Sequence, residues 1–136
     1  MKSKRLKDPI FNRDITLVYD CDQEEFYQFI EKKHNGLELI RRFTYGEHIG
    51  ISNDKTWVRH YLWTKKGTGV SYIGVILHEV FHVARDCFNE IGMGINEETN
   101  EAFAYYQEYL FRQALKALLV KYKTDFIPNP DVEEIT

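Results

Sequence analysis

His78-Glu79-Val80-Phe81-His82 brings two imidazoles and a carboxylate into five consecutive residues. In a helix each residue advances about 100°. His82 then lies about 40° round from His78 and one turn further on, so both rings point the same way. Two imidazoles so placed can share one metal ion. Glu79 lies about 100° round from His78, beside the ion position, where a carboxylate can take a proton from a water held there. Short motifs also arise by chance on ordinary amphipathic helices, where a buried histidine is simply hydrogen-bonded. A third donor decides between the two readings.

The segment around the motif reads as a helix. Ile73, Val75, Ile76, Leu77, Val80, Phe81, Val83 and Ala84 cover most of its circumference. His78, Glu79, His82 and Asp86 leave one narrow polar stripe. A helix apolar nearly all round is a buried one. Thr68 or Ser71 is suited to cap its start, and Gly92 or Gly94 to end it. Cys87 lies about 140° from His82 and about 180° from His78, so it faces away and reads as a small core residue.

A catalytic zinc takes three protein ligands and leaves one position open. Asn96 is placed to cap a last long helix reaching about Tyr122, with Glu97 and Glu98 in its first turn. His82 stands about 13 Å before the end of its helix, and Glu101 about 7 Å beyond Asn96. A short glycine-containing loop therefore lets Glu101 return to the level of the histidines. Glu97, one turn earlier, is a rival donor and Glu98 a weaker one. Both also read as charges that favour a helix start.

H-E-x-x-H followed about eighteen residues later by Asn100-Glu101-Ala102 resembles the gluzincin metallopeptidases. Glu101-x-x-Ala104-Tyr105 is similar, more narrowly, to small H-E-x-x-H proteins encoded by phages and prophages. The resemblance spans roughly residues 71–112 at five or six positions. It implies Zn2+ held by His78, His82 and Glu101, with Glu79 as general base and then general acid, acting on a protein or peptide substrate. The family carries an Asp four residues after the ligand Glu, where this chain has Tyr105. Asp86 or Glu108 is expected to orient a histidine instead, or else to form a surface ion pair. His60, Tyr61, Tyr105 and Tyr106 are the candidates to stabilise a developing oxyanion. The family also lays a strand along the cleft to pair with extended substrate, and Thr56–Thr64 is the candidate for the sheet there.

The remaining chain supplies a scaffold. With 136 residues and 43% hydrophobic content, a single globular domain is expected. A net charge of −3 argues against a nucleic-acid partner. No apolar run follows the basic N-terminus, so neither signal peptide nor membrane span is expected, and the expected compartment is the cytoplasm, a host's if the phage resemblance holds. Cys21 and Cys87 make no disulfide framework.

Residues 1–13 read as an arm, 14–123 as the domain and 124–136 as a tail. Asp14 to Asp20 and Thr56 to Thr64 read as strands, 37–44 and 48–52 as extended segments, and 23–33 as a helix capped by Asp22 and Glu25. The expected fold is α+β, a minimal zincin-like domain. Its small, mostly antiparallel sheet packs on two long antiparallel helices, with one more helix upstream. The expected function is zinc-dependent peptide hydrolysis. The alternatives are a zincin-like protein that binds a partner, a host protein under the phage resemblance, with little catalysis, and a purely structural metal site. Nothing in the sequence fixes the oligomeric state.

Overall fold

The computed structural model describes residues 1–53, 56–67 and 69–122. The domain is α+β, built from four strands and three helices. In chain order these are β1 (Lys2–Leu6), β2 (Asp14–Tyr19), α1 (Gln23–Lys33), β3 (Gly46–Asn53), β4 (Thr56–Thr64), α2 (Gly69–Glu90) and α3 (Asn100–Tyr122). The sheet order is β1-β2-β4-β3. β1–β2 and β3–β4 pair antiparallel, and β2–β4 pair parallel.

Both sheet faces are covered, each by the side chains that the period of two sends there. On one face Ile15, Leu17 and Leu62 meet Ile76, Val80, Ala84 and Phe88 of α2, and Phe103, Tyr106 and Leu110 of α3. On the other, Val18, Tyr61 and Trp63 meet Phe26, Tyr27 and Ile30 of α1. The layers are therefore α1, sheet, then α2 with α3. Phe88 stands edge-on to Phe103 at 5.3 Å, and Phe103 also meets Phe81, which fixes the register of α2 on α3.

Local chemistry sets the helix ends. Asp22 and Glu25 form a reciprocal capping box at the start of α1. Gly92, at φ +78°, ends α2: Met93 N–H donates to Phe88 O and Gly92 N–H to Asn89 O. That pairing closes the last carbonyls, and only glycine adopts such a φ without strain.

Four expectations are corrected. Residues 2–6 are not a free arm but strand β1, an edge with only Leu6 buried. The extended segment expected at 37–44 joins no strand of the sheet, and the one expected at 48–52 is part of β3, which begins at Gly46. Asn96 caps a turn, its side chain accepting from Glu98 N–H and Thr99 N–H, and α3 starts at Asn100. α2 is not buried all round: Val70, Gly74, Leu77 and His78 form an exposed face. Thr68 and the expected tail from 124 lie outside the described residues. Among the described residues no helix is long and apolar enough to cross a membrane.

Candidate active site

α2 carries His78, His82, Asp86 and Glu90 at four-residue intervals. Each interval rotates about 40°. The stripe therefore winds from the open surface toward the sheet, and burial follows it. The His78 side chain is 68% exposed and that of Glu90 only 16%.

At the open end His78 Nε2 and His82 Nε2 stand 3.1 Å apart. Two imidazole nitrogens on one tetrahedral zinc stand about 3.3 Å apart, so this pair is already set to the width of such an ion. Burial, and then the neighbouring His78, lowers the pKa of His82 and favours the neutral ring that a metal requires.

Glu79 is 7% exposed, with Oε1 3.9 Å from His78 Nε2. Burial, with the charge of Glu47 adding to it, pushes its carboxyl up to about 7. A carboxylate with that pKa both takes and returns a proton near neutrality. A cleft of about 400 Å3 opens here, lined by Thr44, Tyr45, Gly46, Ser71, Val75, His78 and Glu79. Its far wall is the start of β3, which is the sheet edge. The expectation that Thr56–Thr64 borders the cleft is corrected: β4 is interior, between β2 and β3.

Below the histidines the stripe meets two more. His48 of β3 and His60 of β4 face each other across a register in which Gly50 pairs His60 and His48 pairs Leu62. Their rings lie nearly coplanar and edge to edge, centroids 5.1 Å apart, and His48 Nε2 hydrogen-bonds His60 Nδ1 at 2.8 Å. His48 Nδ1 lies 3.6 Å from Asp86 Oδ2. Burial holds both rings near pKa 4, with charge near His82 also acting on His48. Asp86 thus faces His48, and its other oxygen faces Arg85 at 3.7 Å. His60 is buried, away from the cleft surface, with Nε2 2.7 Å from Glu90 Oε1.

The remaining sequence candidates scatter. Glu101 sits exposed in the first turn of α3, and Glu97 and Glu98 are exposed in the preceding turn. Tyr105 is 66% exposed. Tyr106 is buried and donates to Asp8 Oδ2 at 2.8 Å. Tyr61 faces α1, its hydroxyl 2.7 Å from His34 Nε2. Glu108 pairs with Arg112. Among the described residues the one group of three His, Cys, Asp or Glu donors within 4.8 Å of one another is His60, Cys87 and Glu90. Glu101 therefore does not stand that close to both His78 and His82.

Sequence reasoning missed His48, whose position follows from strand pairing and carries no motif. It also passed over Glu90, although the four-residue spacing from His82 through Asp86 pointed to it. The chain matches no family model, no curated protein and no solved structure.

Proposed function

We propose that the protein is a zinc-dependent metallopeptidase of gluzincin type. The observation that carries this reading is the convergence of His78 Nε2 and His82 Nε2 at 3.1 Å, beside a buried Glu79. Two of its three donors stand together: the two histidines fit a zinc ion, and Glu101 is proposed as the third ligand, brought in by its exposed side chain. Zinc, when bound, polarises a carbonyl and lowers the pKa of water to about 7.

The chain's own groups supply the rest. Glu79, with its carboxyl near 7, accepts the proton of the attacking water and passes it to the leaving amine. The β3 edge offers unpaired backbone groups to an extended peptide. The cleft between β3 and α2 holds the scissile bond next to Glu79.

The test is metal content beside a peptide-hydrolysis screen. The His78→Ala protein should hold one zinc fewer per chain than the wild type and cleave nothing. Equal metal content in the two would remove this reading.

Tyr45, which lines the cleft, and Phe43, two residues before it, are both exposed and favour a second reading, capture of a partner protein. Under it, Phe43→Ser abolishes binding while Glu79→Gln changes nothing.

A further inference from the structure

A second cluster lies inside the fold, and the proposed hydrolysis does not use it. Cys87 and Glu90 are three residues apart on α2, so they share one face. That face meets β4 at His60. The donor atoms of His60, Cys87 and Glu90 all lie within 4.8 Å of one another. His60 is 1% exposed and Cys87 fully buried.

Two polar atoms of the cluster make no hydrogen bond. His60 Nε2 approaches Glu90 Oε1 at 2.7 Å, yet it is not aligned for a hydrogen bond and has no hydrogen-bond partner. Glu90 Oε2 likewise accepts no hydrogen bond, though Arg13 Nε lies 3.5 Å from it. Buried polar atoms that make no hydrogen bond are rare and call for an explanation.

We propose that His60, Cys87 and Glu90 form a buried metal site for a thiophilic divalent cation, zinc foremost. Imidazole, thiolate and carboxylate together suit zinc. Donors on a tetrahedral zinc stand about 3.3–3.8 Å apart, so the group closes on an ion by movements of about an ångström.

The surroundings are arranged as a metal site requires. The Nδ1 side of His60 is held by His48, which turns Nε2 toward Cys87 and Glu90. Glu90 divides its oxygens, Oε1 toward the donors and Oε2 toward Arg13. The cation forms one metal–sulfur bond, and the Cys87 proton leaves to solvent, one per ion bound. The net gain of one positive charge falls between acids and one cation: Asp8 and Arg13 both act on Cys87, and Asp86, Arg13 and Asp14 act on His60. The site ties β4 to α2 beneath the His78–His82 pair and is independent of whether that pair catalyses anything.

Cobalt(II) is the probe, because a thiolate ligand gives an intense near-ultraviolet charge-transfer band and histidine–carboxylate sites give none. The protein used is full-length Cys21→Ser, stripped with chelator and titrated with cobalt. Cys87 is then the sole thiol. The expected result is a saturable band that survives His78→Ala in the same background. Glu90→Gln should weaken cobalt binding at this band by about tenfold or more. A folded Cys21→Ser protein that shows no band at saturating cobalt overturns the proposal. So does a band that disappears with His78→Ala, because the thiol would then belong to the other site. The visible ligand-field absorption lost on His78→Ala reports that other site separately.

Discussion

Gly46 of β3 touches Glu79 of α2 at a point where only glycine fits. A Cβ on Gly46 would come 2.8 Å from Glu79 Cγ and 3.0 Å from Val75 Cγ1. The sheet edge and the candidate catalytic carboxylate are thus held against each other with no side chain between them.

Gly46→Ala should therefore act on both stability and activity. Overpacking of this kind costs about 1–3 kcal/mol, read by urea unfolding. If the metallopeptidase reading holds, turnover also falls, because Glu79 must rotate or β3 must lift. A variant with unchanged stability and turnover would show that the strand and helix are not locked here.

Asp8 ties the chain between β1 and β2 to the core. Its carboxylate accepts from Ile10 N–H, Phe11 N–H and Arg13 N–H, and from the Tyr106 hydroxyl. Asp8→Ala leaves a buried hydroxyl and three amides to find other partners. The expected loss is about 1–3 kcal/mol, with Tyr106→Phe recovering part of it in the double variant. Additive losses in that cycle would mean that the two residues do not interact.

The His48–His60 pair predicts a defined acid response. Both rings are held near pKa 4 by burial, below the value of about 6.5 of an unfolded chain. Their stabilising contribution is full above pH 6.5 and is lost as pH falls toward 4. Glu79 works in the opposite direction: its raised pKa makes the fold gain stability as pH falls from about 7 toward 4.5. Comparison with His48→Gln cancels Glu79. In metal-free protein, the destabilisation caused by His48→Gln should shrink by about 2 kcal/mol between pH 7 and pH 5. A pH-independent difference would mean that His48 is solvated.

These contacts show what the sequence could carry. The α1 cap was legible because Asp22 and Glu25 act on their own helix. The H-E-x-x-H stripe was legible because four-residue spacing fixes a helix face. β1 was not: Lys2 to Arg5 is charged and exposed, as an edge strand tolerates, and only Leu6 enters the core. The edge position of β3 was hidden because a parallel β2–β4 pairing places β4 inside the sheet. On its own helix Cys87 faces away from both His78 and His82. Its neighbour His60 comes from another element, and no helical period reveals that.

Glu101, the proposed third ligand, is exposed in the first turn of α3. Glu101→Gln should reduce zinc affinity at the His78–His82 pair by about tenfold or more without unfolding the domain. Calorimetric titration of zinc into a Cys87→Ala background isolates that pair. If Glu97→Gln has this effect and Glu101→Gln has none, the third ligand is the earlier glutamate.

The most direct test of the central claim compares zinc-loaded wild type with Glu79→Gln on a mixed peptide library. The substitution keeps the side chain's shape and removes only its capacity to carry a proton. The account predicts equal zinc content in the two proteins and a loss of hydrolysis of about 100-fold or more in the variant. Full hydrolysis by Glu79→Gln, or none by a wild type that holds its zinc, would contradict it.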